Sequence, residues 1–228
     1  MRLMSLLATV ALLQAGQVTT QTSRKPGPNV WIYNAVQSGP EVKLDLLLDG
    51  ASVASAVSND SLSGPFSPKD PKAAVVAVRK AEGTASLLEV PLNTTETDHV
   101  LALVGDPDKK VDFVDLGIKI TPETNGQPRI SVLSAIPKDD AGDDIDIYVL
   151  GANDKVESVQ PAAKAIAYKA AAAIPVAPGT YTIVVTKTGA KDILAQSDAV
   201  EFKAKDRKAV IALPKTPDRA DKLAVVSL

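Results

Sequence analysis

Apolar and polar side chains alternate with a period of two residues along most of this 228-residue chain. In Val42–Asp49 the even-numbered positions are all apolar, and most odd-numbered positions are polar. Asp144–Val149 alternates in the same sense, and Gly179–Thr186 separates Tyr, Ile and Val from Thr. Because successive side chains of a strand point to opposite faces, this period predicts β-strands with one buried face.

Turn-forming residues divide these runs into short strands. About seven or eight runs fit in each half of the chain, a number and spacing typical of a sandwich of antiparallel sheets. Pro161–Ile174 has two interpretations. It is rich in alanine, the best helix former, yet its larger residues also fall on one face of a strand. We favour the strand.

The second half of the chain repeats the pattern of the first. Val30–Val36, a polar gap and Val42–Gly50 correspond to Ile130–Ile136, a polar gap and Ile145–Gly151. The repeated unit is about 100 residues long, which is too long for a solenoid repeat and typical of one small domain. The chain is therefore predicted to contain two similar β domains in tandem.

Composition places the domain boundaries. Residues 118–128 contain two prolines and Gly126, with no large apolar residue after Ile120, which is typical of a linker. We predict an all-β chain with two immunoglobulin-like antiparallel β-sandwich domains, at residues 29–117 and 129–228. Ser58–Pro71 carries three prolines and is predicted to form a long loop in the first domain.

The amino terminus has the layout of a signal peptide. Arg2 precedes Leu3–Leu13, an apolar stretch interrupted only by Ser5 and Thr9. About 11 residues are too few for a bilayer span, which needs about 20. We expect residues 1–22 to be a signal peptide and 23–28 a disordered leader, so that the protein is exported to the periplasm, the cell surface or the extracellular space.

Composition excludes several classes of site. The chain has no cysteine, so it forms no disulfide, carries no lipid on cysteine and has no thiolate metal site. Its 25 basic and 27 acidic residues are scattered, whereas a nucleic-acid-binding protein concentrates positive charge on one face. No segment after the amino terminus is long enough to span a membrane, and we expect no cofactor.

Three blocks of the second half resemble the DUF4397 family of small extracytoplasmic β domains. They are Ile130–Pro137, Ile145–Val149 and Val176–Val185, which match the family's opening strand, its apolar-Asp-apolar-Tyr-apolar strand and its Gly-Thr-Tyr turn. Val30–Val36 and Leu44–Gly50 match the first two blocks in the first half. The resemblance implies a β domain and an extracytoplasmic location, and it implies no reaction.

The chain departs from the family at the end of the first strand. The family often has a histidine there, where this chain has Asn34 and Ser134. The first half also lacks the Gly-Thr-Tyr turn. The resemblance is therefore closer over residues 129–213 than over 29–116, and no role of that histidine is carried over.

A cluster of carboxylates is the clearest candidate for a metal site. Asp139, Asp140, Asp143 and Asp144 precede a strand that begins with Ile145, and Asp146 is expected on its solvent face. Closely spaced carboxylates can bind Ca²⁺, which takes six to eight oxygen ligands. The spacing does not match the D-x-[DN]-x-[DN]-G calcium loop. A solvated turn is the alternative interpretation.

Trp31 and Tyr33 are the candidate ligand-binding residues. They lie two residues apart and therefore on one face of the first strand. Two aligned rings could stack on a sugar. The alternative is that this face packs against the neighbouring domain.

No catalytic residue is predicted. His99 is the single histidine, so a two-histidine zinc site cannot form within one chain. A Ser-His-Asp triad could use His99 with Asp98, but the chain lacks a G-x-S-x-G elbow. We expect His99 to be a surface residue at the start of a strand.

These observations favour a non-catalytic surface or periplasmic binding or adaptor module, with a protein or a cell-surface glycan as partner. Pairing of its main chain with an added strand is one route to binding. One alternative is a periplasmic assembly chaperone, for which Arg79-Lys80 would anchor a client in the interdomain cleft. The other is a hydrolase with a carboxylate-lined cleft between the domains.

Overall fold

The computed structural model describes residues 28–36, 42–95, 97–119, 126–137, 144–214 and 222–227. These parts of the chain form strands and connecting turns, without a helix that could cross a membrane. The first nine strands are β1 Val30–Val36, β2 Leu44–Leu48, β3 Ala51–Val57, β4 Leu62–Phe66, β5 Ala74–Lys80, β6 Ser86–Leu92, β7 Thr97–Asp106, β8 Lys110–Asp115 and β9 Ile118–Lys119. The others are β10 Arg129–Ser134, β11 Ile145–Leu150, β12 Ala163–Ile166, β13 Ala171–Pro175, β14 Gly179–Lys187, β15 Ile193–Phe202, β16 Arg207–Leu213 and β17 Lys222–Ser227. The expected signal peptide and residues 23–27 of the leader lie outside the described residues.

The strands form two sandwiches of identical strand order. The first consists of the sheets β4-β1-β7-β8, with β9 also on β7, and β3-β2-β5-β6. The second consists of β13-β10-β16-β17 and β12-β11-β14-β15. Adding nine to the strand numbers of the first sandwich gives the second. The all-β prediction of two sandwiches is confirmed, and the repeat is one of topology as well as sequence.

One strand pair in each sandwich is parallel. β1 runs parallel to β7, and β10 runs parallel to β16, while the other pairs in the described residues are antiparallel. A parallel pair needs a crossover connection, which here is formed by the five intervening strands. The alternation of residues gives no indication of this direction, because a buried strand has the same pattern in both.

Each sandwich has its own apolar core. Leu44, Leu46 and Leu48 of β2 point inward against Val30 and Ile32 of β1. Ile145 and Ile147 take the corresponding places in the second core. Burying a side chain of this size contributes roughly 1.5–3 kcal/mol, so these inward-facing positions contribute substantially to the stability of each sandwich.

A third apolar cluster joins the two sandwiches, and we call it the interdomain layer. The outer face of β4-β1-β7-β8 packs against the outer face of β13-β10-β16-β17. Four sheets are therefore stacked, with an apolar layer between each neighbouring pair. The buried members of the interdomain layer are Trp31, Tyr33, Ala35, Val100, Ala102, Val104 and Leu116 from the first sandwich and Leu133, Ala135, Ala209, Ile211, Leu213 and Val226 from the second.

Three segments differ in detail from the sequence-based expectation. Pro161–Ile174 contains strands rather than a helix, as favoured, but a turn at Tyr168-Lys169 divides it into β12 and β13, which belong to different sheets. Ser58–Pro71 is not wholly a loop, because β4 lies within it. Ile118–Lys119, assigned to the linker, pairs with β7 in the first sandwich, and residues 120–125 lie outside the described part of the chain.

Candidate functional site

Trp31 and Tyr33 lie in the interdomain layer. Their exposed fractions are 8% and 4%, so neither ring offers an open face to a sugar in this arrangement. The same holds more widely, because all eight aromatic residues fall within the described parts of the chain and each is buried or half-buried. The structure therefore presents no exposed aromatic platform.

Of the acidic cluster, only Asp144 lies in the described residues; Asp139, Asp140 and Asp143 lie outside them. Asp144 is half-buried, and its carbonyl accepts a hydrogen bond from the Thr188 N–H at 2.8 Å. Within the described ranges, no three His, Asp or Glu side chains are grouped so that they could hold a metal ion. The calcium interpretation stays a prediction.

Asp146 is buried, which corrects the expectation of a solvent-facing side chain. Its exposed fraction is 3%. Oδ1 accepts the N–H of Ala165 at 2.9 Å, and Oδ2 accepts the N–H of Gly189 at 3.0 Å. A buried carboxylate is stable only when its oxygens are hydrogen-bonded, and these two N–H groups supply the bonds. Asp146 is thus a structural residue.

Asp45 has the same role in the first sandwich. Its Oδ1 accepts the N–H of Ala56 at 3.0 Å, and its Oδ2 lies 3.2 Å from Arg79. Arg79 is therefore paired within its own sheet. Lys80 Nζ lies 2.5 Å from Asp108 Oδ1, also in the first sandwich. Neither basic side chain lies at the interdomain layer, where the chaperone interpretation requires them.

The interdomain layer is filled with apolar side chains. The carboxylates described at its rim, Asp60 and Asp112, are paired with lysines. A glycoside hydrolase would need two carboxyl groups facing an open cleft. In the described part of this interface, apolar side chains fill the space between the sheets and the two rim carboxylates are ion-paired.

His99 is buried, and the expectation of a surface residue is wrong. It lies in β7 with an exposed fraction of 5%. Its Nδ1 lies 2.6 Å from Asp115 Oδ2, at the end of the neighbouring strand β8, and its Nε2 lies 2.6 Å from Thr97 Oγ1. The acid beside the imidazole is therefore Asp115. Asp98 instead accepts the N–H of Asn29 at 2.9 Å.

Thr97, His99 and Asp115 have the hydroxyl–imidazole–carboxylate order of a hydrolase triad. In triads on α/β-hydrolase folds, the hydroxyl lies on a sharp turn that exposes its oxygen. Thr97 instead lies in a regular strand and pairs with Lys119 of β9. His99 itself is only 5% exposed, so its imidazole offers little surface to a substrate. The arrangement satisfies a buried imidazole and ties β7 to the end of β8.

One candidate binding feature in the described residues is the outer edge of β15, which β17 of the facing sheet approaches. This ten-residue strand pairs with β14 on one side and ends its sheet. Ile193 at its start is 51% exposed and is the one exposed large hydrophobic residue that the described ranges contain. An unpaired edge carries backbone donors and acceptors that can accept another strand.

No protein-family model and no curated protein matches this chain. Two solved carbohydrate-binding modules are similar to it in structure. One is a family 26 module from Eubacterium rectale, in complex with maltoheptaose, with TM-score 0.29, 9% identity, and coverage of 88% of this chain and 97% of that chain. The other is a family 41 module from streptococcal virulence factors, described for α-glucan recognition, with TM-score 0.26, 12% identity, and coverage of 86% and 96%. At these TM-scores the likeness carries no argument about the ligand of this chain.

The hydrogen bonds that Asp115, Asp45 and Asp146 make were not predicted from the sequence. Asp115 is 16 residues from His99, and no local pattern connects them. For Asp45 and Asp146 a signal was present, because an aspartate recurs at one place in the same apolar strand of both repeats. A charge repeated inside a buried strand indicates a structural partner rather than a solvent-facing side chain.

Proposed function

We propose that this protein is an exported, non-catalytic adaptor module that binds a protein partner through a free sheet edge. The observation that carries the proposal is the free edge of β15 with Ile193 exposed at its start. Export is supported by the leader sequence and by the resemblance of three sequence blocks to DUF4397 domains.

The stacked arrangement supports a binding role. The interdomain layer buries the inner pair of sheets, so the outer sheets and their edges are what the molecule offers to a partner. The buried polar groups Asp45, Asp146 and His99 are engaged in hydrogen bonds that hold the fold. We therefore assign structural roles to these three side chains.

A protein partner is favoured over a glycan. Glycan recognition by stacking needs an exposed aromatic face, and none of the eight rings is exposed. An added strand needs only an unpaired edge, with main-chain hydrogen bonds for affinity and alternate side chains for specificity. Ile193 is suitably placed to anchor such a strand.

The test is crosslinking of tagged protein in its own host, before lysis, followed by mass spectrometry. The edge variant carries Ile193→Asp and Ala199→Lys, both at exposed positions of β15. Asn153→Asp, at an exposed position on the β11–β12 connection, is the matched control. We expect one stoichiometric protein partner with the wild type and the control, and its loss with the edge variant.

Other outcomes overturn parts of the proposal. Equal recovery of the partner with the edge variant would contradict binding at β15. Recovery of polysaccharide alone, or of no partner, would contradict the protein adaptor. Hydrolytic turnover that disappears in His99→Ala would contradict the non-catalytic role.

A further inference from the structure

Two ion pairs cross the interdomain layer. Lys169 of the second sandwich pairs with Asp112 of the first. Lys222 Nζ, also of the second sandwich, lies 3.5 Å from Asp60 Oδ2 of the first. The first sandwich supplies both carboxylates and the second supplies both ammonium groups.

Asp60 and Lys169 occupy the same position in the two repeats. The Asp60 N–H donates to the Asn34 carbonyl at 2.7 Å, and the Lys169 N–H donates to the Ser134 carbonyl at 2.8 Å. Both residues have left-handed backbones, with φ of 58° and 64°. Asn34 of β1 and Ser134 of β10 are equivalent positions, each paired with the parallel neighbouring strand, so the two contacts are copies of each other.

Asp112 and Lys222 are also equivalent. Asp112 of β8 lies opposite Val104 of β7, and Lys222 of β17 lies opposite Leu213 of β16. These strands have matching places in the two sheets. One ion pair joins Asp60 to Lys222, and the other joins Asp112 to Lys169, so the same two equivalent positions meet in both pairs with the sandwiches exchanged. This is the contact pattern of a two-fold interface.

The two faces share positions but differ in character. A pair of first sandwiches docked in this way would place Asp60 against Asp112 twice. A pair of second sandwiches would place Lys169 against Lys222 twice. Like charges in contact disfavour such pairings. The apolar positions differ as well, since Trp31 corresponds to Ser131 and Tyr33 corresponds to Leu133 in the first strands of the repeats.

We infer that the interdomain face is a selective docking surface whose partner is the second sandwich of the same or another copy of this chain. The face of the first sandwich accepts a sandwich with lysines at the positions of Lys169 and Lys222, and it rejects a sandwich of its own kind. Within one chain the linker raises the effective concentration, so the intact molecule closes on itself. The same contacts allow halves to exchange between copies once the linker is cut.

The experiment uses the full chain with a protease site inserted after Asn125, and this site is cleaved after folding. The halves of the wild type are expected to co-elute as a 1:1 complex in size-exclusion chromatography. In Lys169→Asp with Lys222→Asp, carboxylates face carboxylates, and the affinity between halves is expected to fall on the order of 30-fold. Adding Asp60→Lys and Asp112→Lys reverses both pairs and should restore most of the affinity.

Folding and ionic strength are controlled separately. Far-ultraviolet circular dichroism before cleavage distinguishes loss of docking from loss of fold. Recovery of the affinity between halves in the variant with all four substitutions excludes a folding defect. About 1 M salt shortens the Debye length to about 3 Å and should reduce the difference between variants.

Exchange between copies is read by mass spectrometry after mixing cleaved protein in isotopically light and heavy forms. We expect mixed pairs of first and second halves and no pair of like halves. Equal affinity of the wild type and the double variant, the appearance of like pairs, or halves that never exchange between copies would each overturn the inference.

Discussion

At the scale of single residues, one aspartate in each repeat stabilises the left-handed backbone of an alanine on the neighbouring strand. Ala56 and Ala165 both have φ of 52°, a left-handed value that costs an L-residue roughly 1–2 kcal/mol. The N–H of each donates to the aspartate of the neighbouring strand, Asp45 or Asp146. This bond offsets the strain where the chain leaves one sheet for the other, so the aspartate is a requirement of the fold.

Asp146→Asn tests this role. The amide retains the size of the carboxylate but places an NH₂ group against the N–H of Ala165 or of Gly189. We expect unfolding free energy to fall by about 1–3 kcal/mol, measured by urea denaturation. Asp198→Asn, at an exposed site, is the matched control and should change stability by less than about 0.5 kcal/mol. Equal effects of the two variants would refute the structural role.

Asn34 and Ser134 form a second natural comparison. Asn34 Nδ2 donates to the Ser58 carbonyl at 3.1 Å. Ser134 Oγ is buried without a hydrogen-bond partner in the described residues. The serine side chain is one bond shorter, and the hydroxyl is left desolvated.

Opposite effects are therefore expected at these equivalent sites. Ser134→Ala removes an unsatisfied hydroxyl and should leave stability unchanged or raise it by up to about 1 kcal/mol. Asn34→Ala leaves buried carbonyls without a donor and should lower stability by about 1–3 kcal/mol. Thermal and urea unfolding give both values. Destabilisation by Ser134→Ala comparable to that of Asn34→Ala would show that the hydroxyl is satisfied in solution.

At the scale of elements, the connection between β11 and β12 distinguishes the two sandwiches. β2 and β3 are joined by the tight turn Asp49-Gly50, whereas residues 151–162 form a longer connection. This segment places Val156 over the outer face of its sheet, against Tyr148 and Val184. The second sandwich thus covers an outer face that the first does not cover in the same way.

Lys191 fastens this connection to the sheet. Its Nζ donates to the carbonyls of Val156 at 2.7 Å and Val159 at 3.2 Å, and it lies 4.7 Å from the centre of the Tyr148 ring. Lys191→Met keeps the apolar stem and removes the donors. We expect faster amide hydrogen exchange across residues 151–160 with a small change in global stability.

Lys155→Met, at an exposed position of the same connection, is the control. It should leave exchange in this segment unchanged. Exchange rates that are equal in Lys191→Met and the wild type would show that packing of Val156 alone holds the segment.

At the scale of the whole molecule, the interdomain layer decides whether two sandwiches act as one body. Ile211 of β16 lies in this layer with an exposed fraction of 0%, and its neighbour Val210 points into the core of the second sandwich. Tyr168 lies beside the same boundary. Burial raises the pKa of its phenol above the ordinary value of 10.0, and Asp112 of the first sandwich raises it further, against the opposing effect of Lys169.

Ile211→Asp should separate the sandwiches without unfolding them, because a buried unpaired charge is costly and separation hydrates it. The radius of gyration from small-angle X-ray scattering should increase, and the pKa of Tyr168, from phenolate absorbance, should fall toward its ordinary value. Val210→Asp, one residue away, should instead unfold the second sandwich. An unchanged Tyr168 titration in a separated molecule would show that its burial comes from the second sandwich alone.

The sign of the pH effect follows from the raised pKa of Tyr168. The unfolded chain loses this proton near pH 10.0, before the folded chain does. The folded state therefore holds more protons in that window, and stability falls as pH rises through it. The contribution is fully present below the unfolded pKa, and Tyr168→Phe should remove this part of the alkaline loss.

The sequence alone determined the local properties of this protein. The alternation in Val42–Asp49 and in its repeat predicts strands, and the duplication of blocks predicts two sandwiches, because side-chain period and repetition are encoded in neighbouring residues. The burial of the second face of these strands, where Asp45 and Asp146 lie, was decided by tertiary contacts. Only the tertiary structure decided that β1 lies parallel to β7, that Asp115 meets His99 and that lysines of one repeat meet carboxylates of the other. These contacts join residues far apart in the chain, and their choice depends on how sheets stack to bury the remaining apolar surface, which no local pattern records.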